Sequence, residues 1–200
     1  MKIIKQSATL RAYTRMVDPD EPGEAIIEEA GRTCTGTPMG DRKRFIQARK
    51  NQRHLSIFEH FTATVRLVTS IAIESELNRH RFFSPSQSST RYIAHDGGIA
   101  VVRPETRTAE GERIWLEACR CAEYSYLAML KAGEPPEVAR DVLPLCTGAV
   151  TTGTGNLHCW FDIFRARLAP AAHPMMRELM RMVLGEVKKV APISLEDVKP

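Results

Sequence analysis

Asn78-Arg79-His80-Arg81-Phe82-Phe83-Ser84-Pro85-Ser86-Gln87-Ser88-Ser89-Thr90-Arg91-Tyr92 sets two arginines and a histidine side by side, then two aromatics, then hydroxyls around a proline, then another cation. Arginine offers a planar fork of donors that matches phosphate or the edge of a planar base, and histidine can donate, accept or stack. Serine hydroxyls and backbone N–H groups in a loop broken by Pro85 can complete a cradle for an anion. The same composition also suits a solvated, charged turn. What the stretch is attached to decides between these readings.

Immediately upstream, Phe61, Ala63, Val65 and Leu67 alternate with Thr62, Thr64, Arg66 and Val68, the period of two that marks a half-buried strand. Ser70 to Asn78 reads as a helix with Ile71, Ile73 and Leu77 inward, delivering Arg79 at its end. Downstream, Asp96-Gly97-Gly98 is a turn, Ile99 to Val102 a short strand, and Pro104 to Gly111 a loop. Glu112 to Ala132 is a long amphipathic helix with Trp115, Cys119, Ala122, Tyr126 and Met129 near one face, a stripe that suits core packing better than a cofactor.

Further out, Ile3 and Ile4 lead a short strand, followed by a weakly patterned segment to Val17 and a loop over Asp18 to Gly23. Glu24 to Ala30 reads as a short helix capped by Gly31, and Arg32 to Pro38 as a polar turn. Asp41 to Arg53 is an exposed helix with a narrow apolar stripe of Phe45, Ile46 and Ala48. Pro135 and Pro136 start a helix that Pro144 ends, with Arg140 one turn before that end. Thr151-Thr152-Gly153-Thr154-Gly155 is glycine-rich but lacks both a following Lys-Ser or Lys-Thr and the dinucleotide-binding glycine spacing. Asn156 N-caps a helix to about Leu168, and Met175 to Val190 is a closing amphipathic helix.

On that penultimate helix, Leu157, Trp160, Phe161, Phe164 and Leu168 form the buried stripe. At about 100° per residue Arg165 falls opposite Asn156, toward solvent, whereas Arg167 returns to within about 20° of it. An arginine on the border of an apolar face packs its stem while its head reaches a pocket, so Arg167 is the better functional candidate.

The whole-chain properties set bounds. A chain of 200 residues suits one domain, taken here as residues 1–200, with a full core. Apolar residues at 43% and charged residues at 26% exclude a disordered chain. A net charge of +4 favours anionic ligands. The cations are scattered among acids with few exposed-looking aromatics, which weighs against the other class of reading, a nucleic-acid-binding protein with a basic loop. No apolar run approaches ~20 residues, and Met1 to Gln6 lacks the apolar region of a signal peptide. The five cysteines are odd in number and include no Cys-x-x-Cys, so reduced thiols and a cytoplasmic location are expected. Glu59 and His60 are adjacent and diverge, and no Cys or third His stands at ligand spacing, so no metal is expected.

Arg-His-Arg, seven residues, then Ser resembles the signature of the flavin-dependent thymidylate synthases, here ending Ser89-Thr90-Arg91-Tyr92. Other blocks resemble that family in the same order: Arg32 with Cys34; His54-Leu55-Ser56-Ile57-Phe58-Glu59-His60; Glu137-Val138-Ala139-Arg140 leading to Leu143-Pro144; and Asn156 with Arg167 eleven residues on. The resemblance implies an α/β fold of the α+β type, with a central, mostly antiparallel sheet flanked by helices. It implies a homotetramer with active sites shared between subunits. It also implies reductive methylation of dUMP to dTMP, with FAD, NADPH and 5,10-methylenetetrahydrofolate.

Carried over position by position, the resemblance puts Cys34, His54, Ser56 and Glu59 against the flavin, with Arg79, His80 and Arg81 from the signature and Asn156, His158 and Asp162 from the last block. Glu76, Arg79, Gln87, Ser88, Ser89, Thr90, Arg91 and Arg140 would hold the nucleotide. Arg167 would contact the uracil and activate it. The chain departs from the family at Ser86 and Gln87, where Asn-Glu is usual; at Glu76, where glutamine is usual; at Ser75, where arginine is common; and at Asp162, where asparagine is usual. Glu76 near a phosphate is repulsive unless protonated or paired. These changes leave open a divergent paralogue acting on another pyrimidine nucleotide, such as a cytidine monophosphate. His173 lies a few residues beyond the place where the family has a flavin-touching histidine and is assigned no role.

Overall fold

The computed structural model describes residues 1–199. Strands β1 (Lys2–Ile4) and β2 (Ser7–Tyr13) precede helices α1 (Ala25–Thr35) and α2 (Arg42–Asn51). A 3-10 turn, Leu55–His60, leads to β3 (Thr62–Ser70) and α3 (Ile71–Leu77). Then come β4 (Ser84–Gln87), β5 (Ala100–Val102), α4 (Ala109–Lys131), α5 (Pro136–Ala139), β6 (Gly148–Asn156), α6 (Leu157–Arg167) and α7 (Pro174–Lys188).

Four strands form one sheet in the order β2-β3-β6-β4, while β1 and β5 pair in parallel as a separate two-stranded sheet. Bonds along β3 and β6 show opposite senses. Leu157 N–H donates to Phe61 O (2.9 Å), Thr64 and Thr154 share a hydroxyl bond (2.8 Å), and Ile71 N–H donates to Thr147 O (2.9 Å). As one index rises the other falls, the antiparallel pattern. The expected mixed α and β architecture with an antiparallel sheet is therefore the observed one.

By compactness the chain divides into two units. The first comprises Met1–Ser7, Leu67–Glu76 and Ser86–Thr151, and the second Ala8–Arg66, Leu77–Pro85 and Thr152–Pro200. The first unit's core clusters Ile99 and Val101 with Cys119, Tyr126 and Ala139. In the second, Trp160 is wholly buried, its ring 5.4 Å from Phe83 and 5.8 Å from Phe164, and its Nε1–H donates to Ala63 O (3.2 Å). Buried tryptophan thus meets the usual requirement for a partner to its one polar atom. Met176, Leu179, Met180 and Val183 give α7 its fully buried stripe.

Several local expectations change. Helix α1 does not stop at Gly31 but runs to Thr35, with Gly36 as the left-handed cap (φ 63°). Gly31 sits inside the helix because a Cβ there would lie 2.8 Å from the Phe45 ring. The weakly patterned segment after Ile4 is a strand, β2. Part of the signature loop is also a strand: Pro85 is tolerated in β4 because β4 is an edge, where a missing N–H costs no ladder bond. The glycine-rich Thr151–Gly155 run lies within β6. Its Gly153 is there for Phe83, whose Cζ would come within 1.9 Å of an added Cβ. Gly153→Ala is expected to lower stability by about 1–3 kcal/mol through overpacking. Thermal denaturation checks this, with Phe83→Leu in the same chain recovering part of the loss.

Candidate active site

In the second unit, α1, α2, the 3-10 turn and α6 line an open cavity of about 660 Å³. Cys34 and Thr35 line it from α1, Arg49 from α2, and Arg53, His54, Ser56 and Glu59 from the segment that follows, with His158 from α6. A volume of this order suits an organic ligand. His158 Nδ1 lies 3.1 Å from Glu59 Oε1. The same two residues border a second cavity of about 130 Å³, with Phe82, Asn156, Cys159 and Asp162. Asn156 is the N-cap of α6, its Oδ1 accepting from Cys159 N–H at 2.8 Å, and this fixes where the helix and its His158 begin. Arg32 stays outside the cavity lining. It donates through Nε to the buried Glu28 (2.7 Å) and stacks over Phe45 at 4.5 Å, so it serves the packing of α1 on α2.

The Arg-His-Arg run divides its side chains. Arg79 and Arg81 are exposed and His80 is half-buried. Arg167 Nε–H donates to His80 Nε2 at 3.0 Å. An accepting Nε2 needs a lone pair, so this bond requires neutral His80 with its proton on Nδ1. Burial, and then the Arg167 charge, both push the His80 pKa below its ordinary value, while Asp162 pulls the other way. Asp162 is itself paired with Arg165 Nη2 at 2.7 Å. Arg165 is exposed and Arg167 half-buried, the division read from the helical wheel.

The first unit carries the remaining positions. Ser88 binds Val150 twice, N–H to O at 2.8 Å and Oγ from N–H at 3.0 Å, which extends the β4–β6 pairing past Gln87. Ser89 Oγ accepts from Arg91 N–H (3.3 Å), and Ser89 O accepts from the N–H groups of Tyr92 and Ile93, so the serine shapes the turn that carries Thr90 and Arg91. Arg91 Nε–H donates to Glu137 Oε2 (3.0 Å), three residues ahead of Arg140. Both partners are about half exposed, and such a pair is weak enough for a phosphate to displace. Arg140 is exposed. Glu76 is half-buried and does not stand unpaired. Glu74, one helical turn from the end of α3, is wholly buried, and neither of its oxygens makes a well-formed hydrogen bond. Burial raises its pKa to about 7, opposed in part by the nearby Gln87 amide.

Sorted by unit, every position that the resemblance assigns to the flavin lies in the second. Those that it assigns to the nucleotide lie in the first, apart from Arg79 and Arg167. Sequence reasoning missed three residues. Arg49 and Arg53 read as ordinary cations of an exposed helix, and only the fold turns them into a cavity wall. Glu74 sits at an inward helical position that the Ile71, Ile73 and Leu77 stripe could have flagged. His173, left without a role, caps α7 by accepting from Met175 N–H at 3.2 Å. Among the described residues no group of three His, Cys, Asp or Glu side chains could hold a metal ion.

A family profile described as "Thymidylate synthase complementing protein" matches residues 15–193. The chain is similar to a protein named flavin-dependent thymidylate synthase from Mycobacterium sp. (strain JLS), 31% identical over 219 residues that cover 90% of this chain and 85% of the relative. It is also similar to a probable flavin-dependent thymidylate synthase of Mycobacterium phage L5, 28% identical over 199 residues, covering 90% and 82%. Among solved structures, the UMP/dUMP methylase PolB from Streptomyces cacaoi, bound with 5-Br UMP, superposes with a TM-score of 0.81 over 98% of this chain and 95% of that one. At 19% identity that likeness bears on the fold.

Proposed function

The chain belongs to the thymidylate synthase complementing protein family, the flavin-dependent thymidylate synthases, and we propose that it methylates dUMP to dTMP with 5,10-methylenetetrahydrofolate as carbon donor and NADPH as reductant. The reading includes a homotetramer with shared active sites, working in the cytoplasm. The observation that carries it is the Arg167–His80 bond, which joins the signature to the Asn156 block across 87 positions of sequence. Random surface cations would not converge in this way.

FAD fits the large cavity by the chemistry of its lining: hydroxyls of Thr35 and Ser56, imidazoles of His54 and His158, and two guanidiniums suit a polar, anionic dinucleotide. Cys34, His54, Ser56, Glu59 and His158 hold it there, completed by Arg79, His80, Arg81, Asn156 and Asp162. Bound flavin supplies the reducing equivalents; the chain's own work is to bind, orient and polarise. Arg167 places a permanent positive charge where negative charge develops on the pyrimidine ring, and neutral His80 holds that guanidinium in one orientation. Arg91 and Arg140 take the phosphate, Arg91 exchanging Glu137 for it. Gln87, Ser88, Ser89 and Thr90 shape the loop around the nucleotide, and Glu76 takes the place of the family's usual glutamine.

A second substrate is favoured by one observation, the neutral Gln87 amide beside buried Glu74, where the family usually has an acidic residue at position 87. The test offers dUMP, UMP and dCMP side by side to protein supplied with FAD, NADPH and methylenetetrahydrofolate. Mass spectrometry of the products should show a methyl group gained by dUMP. Methylation of dCMP alone would move the chain to another pyrimidine, and methylation of none would overturn the reading.

A further inference from the structure

Helix α2 ends in an unusual way. Arg53 N–H donates to Lys50 O (3.0 Å) and His54 N–H to Arg49 O (2.9 Å), the paired bonds of a Schellman turn. The residue at the centre of such a turn adopts the left-handed conformation and is ordinarily glycine. Here it is Arg53, with φ 59°, and it is the one residue other than glycine with positive φ among those described. Its side chain lines the 660 Å³ cavity, and its guanidinium meets no hydrogen-bond or ion-pair partner among the described residues. Arg49, one turn back on α2, lines the same cavity. It is braced by a bond from Nη1 to Gln52 Oε1 (2.9 Å) and by the Phe45 ring, 5.0 Å away. The acid in this wall, Glu59, is matched with His158.

We propose that Arg53, with Arg49 beside it, anchors the pyrophosphate of the dinucleotide in this cavity, at a cost in backbone strain that a glycine at the same position would not carry. The inference rests on the flavin reading and adds to it two residues that the family resemblance does not supply. The left-handed turn brings residue 53 to the cavity mouth, and a fork of donors there can bind two phosphate oxygens at once. The competing explanation is local: cations at a helix C-terminus complement its negative end. If that were the whole role of Arg53, its loss would leave ligand affinity untouched.

Arg53→Gly separates the two. Glycine relieves the strained φ, so the variant should melt about 2–4 °C higher than the parent. In titrations of flavin-free protein, it should bind FAD about tenfold more weakly and riboflavin, which lacks phosphate, equally well. Arg53→Lys should keep much of the FAD affinity without the fork. Unchanged FAD affinity in a more stable Arg53→Gly protein overturns the proposal. So does a loss confined to NADPH relative to NADH, which would assign the anion site to the nicotinamide dinucleotide. Failure of the flavin reading looks different: the parent itself then binds no flavin, and sodium pyrophosphate decides the anchor alone. Protection of the parent but not of Arg53→Gly against heat supports the anchor. Equal protection of both, or of neither, overturns it.

Discussion

Arg167→Ala is expected to lower kcat by about 10²–10³ while the protein stays folded and retains its flavin spectrum. Arg167 is half-buried at the last position of α6, past the stripe of Leu157, Trp160, Ile163 and Phe164 that holds the helix in place, so its removal leaves the core intact. The loss includes a fixed charge and the hydrogen bond to His80 Nε2. The His80 pKa should rise toward its ordinary value, because one of the two influences lowering it is gone while Asp162 still acts upward. Single-turnover rates, together with an NMR titration of His80, check both halves. Arg167→Lys retains the charge but not the planar fork, so it should recover only part of the rate. A variant that turns over like the parent would remove Arg167 from the chemistry.

Glu74→Gln should stabilise the protein at pH 8 and leave it nearly unchanged at pH 5. The folded-state pKa of Glu74 is raised to about 7 from 4.5, chiefly by burial. Between these values the folded chain binds a proton that the unfolded chain has released, so the parent loses stability as pH rises through that window and stays level above it. The full difference is on the order of 3 kcal/mol, and glutamine removes it by never ionising. Urea denaturation of parent and variant at half-unit steps from pH 5 to pH 8 tests this. The two curves should diverge upward from pH 5, and parallel curves would refute the assignment.

The parts of the fold visible in the sequence are those where a local pattern and its tertiary use coincide. The alternation at Ala63, Val65 and Leu67 became strand β3, and these three, with Phe61 just before it, are wholly buried. Asn156 capped its helix because capping is decided within a few residues. The helical wheel separated Arg165 from Arg167 for the same reason.

The elements that escaped notice depend on distant partners. Strand β4 is exposed throughout and contains a proline, and it is recognisable only by the β6 edge it joins. The Thr151–Gly155 run is read from sequence only as glycine-rich, yet it lies in β6, where Gly153 makes the room that Phe83 fills. Gly31 looked like a helix stop and is a contact point for Phe45. The candidate site divides in the same way. Its signature cations are legible as a motif, whereas Arg49 and Arg53 gain meaning only from the cavity that α1, α2 and α6 close around.

Among the described residues, two strand-to-helix junctions have no loop at all. Strand β3 ends at Ser70 and α3 begins at Ile71; strand β6 ends at Asn156 and α6 begins at Leu157. A single inserted or deleted residue at either point would turn every side chain beyond it by about 100° around the helix axis. Arg167 would swing off His80, and the Arg79–Arg81 run would leave α3 on another side. Length variation in chains of this design therefore has to be absorbed elsewhere, in loops such as residues 93–99 and 103–108 on either side of β5. The seams at Ser70 and Asn156 act as fixed gauges, each setting the rotational phase of the helix that follows its strand.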